Sequence, residues 1–162
     1  MRRTLTLMLM LVVVVGMAAC HKATGGPLAG ADASDAAVRQ FLFAAKSQDL
    51  QALSAVWGND VSPVRERMDQ KQVERRSLIM MCHLRHDESR IGPAQASEAG
   101  RVLHRVDLTQ GAKRASPVFK TVRNKTTGRW FVEDFDLVAL RSFCANSEPQ
   151  VPRPDGAGPA GR

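Results

Sequence analysis

Hydrophobic residues in the central part of the chain change their spacing once, from a helical period to a strand-like one. The helical part opens with apolar residues at positions i, i+3, i+4 and i+7, which share one helix face. These residues are Val38, Phe41, Leu42 and Ala45. They predict a first helix from about Ser34. A shorter second helix is predicted to begin after Ser47, whose hydroxyl can cap it, and to end at Trp57.

A further helical region and a set of strands complete the pattern. Ser62 followed by Pro63 favours a helix start, because proline is tolerated in the first turn, and the predicted helix or helix pair ends near Arg85. Beyond Asp87 apolar and polar residues alternate, as in half-buried strands. The predicted strands are a weak edge strand at Ser89–Ile91 and three others at Val102–Thr109, Val118–Arg123 and Arg129–Phe135. A short helix or turn is expected over Asp136–Cys144. Helices followed by an antiparallel meander predict an α+β fold class.

The N-terminal 19 residues have the three parts of a secretory signal peptide. Arg2 and Arg3 precede an almost continuous apolar run from Leu5 to Val15, and small residues lead to Cys20. A helix that spans a membrane needs about 20 apolar residues, so a cleaved signal is favoured over a permanent anchor. Cleavage after residue 19 would leave 143 residues with a net charge of +5.

The sequence Met-Ala-Ala-Cys before the predicted cleavage site resembles a bacterial lipobox. The resemblance implies that Cys20 becomes the N-terminus and carries the lipid, so the protein would be anchored in the cell envelope by its acyl chains. His21, rather than Asp, follows this cysteine, which implies the outer membrane facing the periplasm if the host is Gram-negative. An ordinary secretory signal with an unrelated cysteine is the alternative.

Length and composition allow one small domain between two irregular segments. The chain has 162 residues, a net charge of +7 and 44% hydrophobic residues, which is enough for a globular core. Residues 20–33 are rich in Gly and Ala and are predicted to be a flexible tether. Residues 147–162 are rich in Pro and Gly and are predicted to be a disordered tail. The predicted domain is 34–146.

Two stretches of the domain resemble the nuclear transport factor 2-like superfamily, which includes the SnoaL-like proteins. They are VRQFLFAAKSQDLQAL, with Asp49 after the first helix, and GRWFVEDFDL, with Trp130 in a late strand. The resemblance implies N-terminal helices packed on a curved antiparallel sheet, which together form a cone with an internal pocket. Branches with isomerase or dehydratase activity and small lipid-anchored proteins both belong to this superfamily. Another α+β sandwich with the same element order is the alternative fold.

Cys82 and Cys144 are the two cysteines left in the domain, and cysteines in an oxidising compartment usually pair. We therefore predict a disulfide between them. His83, His86 and Asp87 follow Cys82 and could suggest a metal site, but the chain has no second pair of ligands with metal-binding spacing, so no metal is predicted. Cys82 as a nucleophile is disfavoured, because its neighbours are apolar and raise the pKa of a thiol.

His104 lies on the apolar side of its predicted strand, so it and Trp130 are candidate pocket residues. Two functions remain open. The favoured one is a non-catalytic envelope protein whose domain binds a small apolar ligand or a protein partner. The alternative is a pocket enzyme (an isomerase, dehydratase or hydrolase) that uses His104 and a carboxylate such as Asp107 or Asp134.

The chain offers no sign of a cofactor or of a nucleic-acid partner. It has no Gly-rich phosphate loop, no His-Glu-x-x-His and no Gly-x-Ser-x-Gly, so no cofactor is predicted and no catalytic residue is assigned. A basic domain usually suggests nucleic acid, but an exported one is better matched by anionic surfaces of the envelope.

Overall fold

The computed structural model describes residues 29–145 of the chain. The predicted signal peptide, the predicted lipid site Cys20, most of the predicted tether and the predicted tail lie outside these residues. The helices are α1 (Ser34–Lys46), α2 (Leu50–Val56), α3 (Gln70–His83) and α4 (Arg141–Cys144). The strands are β1 (Glu88–Ala96), β2 (Arg101–Gln110), β3 (Lys113–Ala115), β4 (Val118–Arg123) and β5 (Trp130–Phe135). Short 3-10 segments lie at Val64–Glu66, Glu98–Gly100 and Val138–Leu140.

The strands of the described region form one antiparallel sheet of five strands. Its order is β1-β2-β4-β5, and β3 pairs with β2 beside β4. Bulges interrupt the register between Ile91 and Ala94 in β1 and between Lys120 and Thr121 in β4. A bulge bends its strand, which is how a sheet curves around helices. The predicted α+β class with an antiparallel meander is thereby confirmed, and it is consistent with a nuclear transport factor 2-like fold.

Two expectations about element placement need correction. The resemblance implied N-terminal helices, but the 3-10 segment Val138–Leu140 and α4 follow the last strand, where the sequence pattern predicted a short helix or turn. The weak edge strand predicted at Ser89–Ile91 is a nine-residue strand, β1. Its solvent-exposed side chains give little apolar alternation, but its backbone pairs with β2 on both sides of the bulge between Ile91 and Ala94.

The start of α2 also differs from the prediction. Ser47 is not its cap, because the backbone N–H and the hydroxyl of Ser47 both donate to the carbonyl of Phe43 at the end of α1, at 2.9 Å each. Asp49 caps α2 instead, and its carboxylate accepts the N–H of Ala52 at 2.9 Å. Asp is as good an N-cap as Ser. Because Ser47 is engaged by the last turn of α1, Asp49 is the residue that remains to cap α2.

The region after Ser62 and Pro63 confirms the expected pair of helical elements. Pro63 precedes only the short 3-10 segment Val64–Glu66. The longer helix, α3, starts afresh after Asp69, whose carboxylate accepts the N–H of Gln72 at 3.1 Å.

Side chains fill the space between α1 and the inner face of the sheet. Phe41 of α1 is fully buried, and its ring centroid lies 6.3 Å from that of Phe119 and 5.9 Å from that of Phe135. The Phe119 and Phe135 rings stack on each other with centroids 5.4 Å apart. Three aromatic rings at the centre of a small domain occupy the volume that an internal pocket would need.

The outer edge of β5 is covered by two other segments of the chain. The backbones of Ala31 and Trp130 exchange two hydrogen bonds of 2.8 Å, and the N–H of Gly58 donates to the carbonyl of Val132 at 3.1 Å. Ala31 is fully buried, although it lies in the predicted tether. The packed domain therefore starts before Ser34.

The predicted disulfide between Cys82 and Cys144 is present, with Cα atoms 5.1 Å apart. It joins the end of α3 to α4 across 62 residues of sequence. None of the helices between residues 29 and 145 has the length and apolarity to cross a membrane.

Candidate binding groove

His104 is buried in the domain rather than presented to an open pocket. Its side chain is 1% exposed, and Nε2 lies 3.1 Å from the hydroxyl of Ser34. Burial lowers the pKa of His104, and the nearby Gly92 backbone and the Asp35 carboxylate offset only part of this effect. The imidazole is therefore neutral at pH 7, which suits a core residue.

Trp130 lies at a different level of the sheet from His104. His104 is opposite Phe119 on β4, whereas Trp130 is opposite Arg123, four residues further along that strand. Four residues of strand correspond to about 13 Å. Trp130 is half-buried and lines an open cleft at the β4–β5 turn. The two predicted pocket residues are thus not brought together.

The carboxylates considered as catalytic partners of His104 have other partners. Asp107 accepts a 2.7 Å hydrogen bond from the hydroxyl of Ser116, and Asp134 lies 3.6 Å from the ammonium group of Lys120. Within residues 29–145 no carboxylate lies at hydrogen-bonding distance from the His104 ring. A general base with a carboxylate partner is not assembled here.

The Cys-His-Leu-Arg-His-Asp segment also serves the fold. Cys82 is in the disulfide, and Nδ1 of His83 lies 3.2 Å from the carbonyl of Leu140. Nδ1 of His86 lies 2.7 Å from the carbonyl of Leu84. The described part of the chain holds no group of three or more His, Cys, Asp or Glu side chains arranged for a metal ion.

An open groove lies on the helical side of the domain, and we call it the apolar groove. Its volume is about 790 Å³. Its apolar lining comes from α1 and α2 and consists of Phe43, Ala52, Ala55 and Val56. Its polar lining consists of Arg39, Gln40, Asp49, Gln51, Arg65 and Arg129. Phe43 is 73% exposed, which is unusual for a large aromatic side chain on a small domain.

The arginines of the apolar groove differ in how their charge is compensated. Arg39 forms an ion pair with Asp35 one turn earlier in α1, and this guanidinium lowers the pKa of the Asp35 carboxyl. Arg129 forms an ion pair with Asp32 and donates to the carbonyl of Gly30 at 2.7 Å. The side chain of Arg65 makes no hydrogen bond or ion pair with the described residues 29–145.

A second recess, which we call the polar cleft, lies between α2 and α3 and has a volume of about 420 Å³. Gln51 and Arg65 line both recesses, so the apolar groove and the polar cleft meet at these two side chains. The other residues that line the polar cleft are Leu50, Ser54, Gln70, Val73, Glu74 and Ser77.

Comparison with known proteins gives similar solved structures but no family assignment. No protein-family model and no curated protein matches the sequence. The structure of Bal32a, from a soil-derived mobile gene cassette, is 21% identical over 68% of this chain and 95% of that chain, with a TM-score of 0.35. The structure of an M. tuberculosis LEH-like epoxide hydrolase is 21% identical over 68% of this chain and 87% of that chain, with a TM-score of 0.33. Likenesses at this level assign neither an activity nor a substrate to this chain.

Sequence reasoning missed the apolar groove, although one signal for it was present. Phe43 follows Phe41 and Leu42 but falls outside the apolar stripe that predicts α1. A large aromatic residue on the polar side of an amphipathic helix is an indicator of a binding surface.

Proposed function

We propose that this protein is a lipid-anchored binding protein of the cell envelope, with a nuclear transport factor 2-like domain that does not catalyse a reaction. In a Gram-negative host it would be held in the outer membrane, facing the periplasm, through lipid on Cys20. Its ligand would be a small molecule with an apolar part, held in the apolar groove rather than inside the domain.

The observation that carries this proposal is the contrast between the closed interior and the open groove. Phe41 and Phe119 are fully buried and the partly buried Phe135 packs against them, whereas Phe43 is exposed to solvent beside the apolar residues of α2. Small-molecule sites are concave, largely apolar and about 300–1,000 Å³ in volume, and the groove's volume of about 790 Å³ is within this range.

The predicted anchor would keep the apolar groove close to the membrane. Gly30 lines the groove, and it follows Cys20 by only ten residues. A chain of this length spans at most about 35 Å when fully extended. Apolar molecules that leave or enter the membrane would therefore be concentrated near the groove.

The alternative function, a pocket enzyme, gains no support from the geometry. His104 is buried against Ser34 without a carboxylate partner, so it could not reach a substrate unless the core opened. A binding role requires no such rearrangement.

The test is to purify the lipidated protein from membranes, extract it with organic solvent and identify the co-purifying molecules by mass spectrometry. The variant Phe43→Ser removes the most exposed apolar side chain of the groove. Val138→Ser is the matched control, because Val138 is also exposed, at 62%, and is not part of the groove lining. We expect a recurrent apolar ligand that is lost in Phe43→Ser and retained in Val138→Ser.

A result in which both variants keep the ligand, or in which no apolar molecule co-purifies with the wild-type protein, would contradict the proposed binding function. The anchor is tested separately by labelling with radioactive palmitate. Wild type should incorporate the label, whereas Cys20→Ser should not and should leave the membrane fraction. Equal labelling of the two proteins would show that Cys20 is not the site of lipidation.

A further inference from the structure

The apolar groove and the polar cleft are neighbouring recesses that share two lining residues and differ in chemistry. The floor of the groove contains aromatic and aliphatic side chains, whereas hydroxyl, amide and charged groups dominate the cleft. The junction between the two recesses is formed by Gln51 and Arg65. A molecule that occupies both recesses needs an apolar body and a polar head.

The charge at the junction favours an anionic head. Arg39 and Arg129 are already compensated by Asp35 and Asp32, so neither offers an uncompensated charge to a ligand. Arg65 has no ion-pair partner among the described residues, and its guanidinium presents several N–H donors in a plane. This donor geometry matches the oxygens of a carboxylate or a phosphate.

Ser77, which lines the polar cleft, has a buried hydroxyl that is available to a ligand oxygen. Its side chain is fully buried, at 0% exposure, yet its hydroxyl has no hydrogen-bond partner among the described residues. The other serine of the cleft, Ser54, donates its hydroxyl to the carbonyl of Gln51 at 2.9 Å. A buried hydroxyl without a partner is destabilising, and a ligand oxygen beside Ser77 would remove that cost.

We infer that the ligand is a single-chain amphiphile with an anionic head, whose chain lies in the apolar groove and whose head is bound at Arg65 and Ser77. This inference rests on the proposed binding function and specifies its ligand class. The head accepts hydrogen bonds from the guanidinium and the hydroxyl, and the chain covers Phe43 and the alanines of α2.

Two acidic side chains, Asp49 in the apolar groove and Glu74 in the polar cleft, affect how tightly an anionic head can bind. Asp49 caps α2, so its carboxylate is occupied by the N–H of Ala52 and stabilised by the helix dipole. Glu74 lines the polar cleft and would repel an anion there. Removing the charge of Glu74 should therefore strengthen binding, which is the opposite of the effect expected at Arg65.

The experiment is isothermal titration calorimetry with the full chain that carries Cys20→Ser, so that no acyl chain attached to the protein competes. The probes are dodecyl phosphate, dodecanoate, dodecanol and inorganic phosphate, all at pH 7 and below the micelle concentration. The protein variants are Arg65→Gln, Glu74→Gln and Ser77→Ala. Arg67→Gln is the control, because Arg67 is an exposed arginine of the same segment that lines neither recess.

We expect both anionic amphiphiles to bind at least about tenfold more tightly than dodecanol. A hydrogen bond to a charged group lowers the dissociation constant by about this factor or more. Arg65→Gln should abolish this preference, Ser77→Ala should weaken it, Glu74→Gln should increase it and Arg67→Gln should leave it unchanged. Inorganic phosphate alone should bind far more weakly than dodecyl phosphate.

The inference is overturned if dodecanol binds as tightly as the anions, if Arg65→Gln and Arg67→Gln have equal effects, or if inorganic phosphate binds as tightly as dodecyl phosphate. In the first two cases the groove still binds an apolar chain, and the proposed function stands. If none of the dodecyl probes binds, both the inference and the proposed function fail.

Discussion

The disulfide between Cys82 and Cys144 should supply a large part of the stability of this domain. The bond joins α3 to α4 and closes a loop of 62 residues that includes the whole sheet. The perturbation is the double substitution Cys82→Ser and Cys144→Ser in a Cys20→Ser background. The chain has three cysteines in all, so no other thiol remains to form a new bridge.

The expected magnitude follows from the length of the loop. A cross-link across 62 residues lowers the entropy of the unfolded chain and contributes about 4 kcal/mol to the free energy of unfolding. Domains of this size have a total of about 5–15 kcal/mol, so the loss would leave a protein with little stability in reserve. With a urea m-value of about 1–3 kcal/mol/M, the unfolding midpoint should fall by about 1.5–4 M.

The assay is urea unfolding followed by the fluorescence of Trp57 and Trp130, with and without reductant. Both half-cystines are half-buried, so a small thiol reductant can reach the bond as the chain unfolds. Reductant should lower the midpoint of the protein with Cys82 and Cys144 and leave that of the double variant unchanged. If thiol titration shows that the reductant has broken the bond, but the midpoint of the disulfide-containing protein is the same with and without reductant, the entropic argument is wrong.

Three further predictions concern the core, a tight turn and pH. Phe41→Ala should lower the free energy of unfolding by about 3–5 kcal/mol in urea titrations, because it opens a cavity beside the stacked rings of Phe119 and Phe135. A loss below about 1 kcal/mol would mean that the site is not tightly packed. Gly30→Ala should lower the melting temperature more than Gly111→Ala. Both glycines have positive φ, but only at Gly30 would the added Cβ lie 2.8 Å from the Phe131 ring. Equal decreases in melting temperature would contradict this packing. Burial lowers the pKa of His104, so its contribution to stability is complete above about pH 6.5 and declines as the pH falls below that value. In urea unfolding at a series of pH values, His104→Gln should lack this decline. If the wild type and His104→Gln lose stability in parallel, His104 is not the group responsible.

The periodicity of the sequence predicted three strands of the sheet, but not the full length of β1, the short strand β3 or the ends of the helices. In β2 the residues His104, Val106 and Leu108 are buried on one face, as alternation predicted, because a one-residue shift would expose all of them. Ser47 and Asp49 are both good helix caps within three residues of each other. Gln48 between them has a left-handed backbone conformation, which separates the end of α1 at Ser47 from the cap of α2 at Asp49. The residue types at these positions do not predict this conformation.

The position of the candidate site could not be predicted, because its parts come from segments far apart in the chain. Phe43 belongs to α1, Arg65 to the 3-10 segment Val64–Glu66, and Arg129 to the turn before β5. Their proximity depends on how α2 packs between these elements, and no local pattern encodes that packing. His104 was predicted from its position on the apolar side of a strand, and that pattern by itself also describes an ordinary core residue.

The net charge of the chain is a poor guide to where an anion could bind. Arg101 on β2 makes a two-pronged contact with Glu133 on β5, at 2.6 and 2.7 Å, and this guanidinium lowers the pKa of the Glu133 carboxyl. Lys125 forms a single ion pair with Asp60 at 2.6 Å. The charges of Arg101 and Lys125 are therefore compensated within the fold and are not available to an anion. Arg65 differs because it is an uncompensated cation beside an apolar groove, and selectivity for an anionic amphiphile should therefore depend on this one residue rather than on the charge of the whole protein.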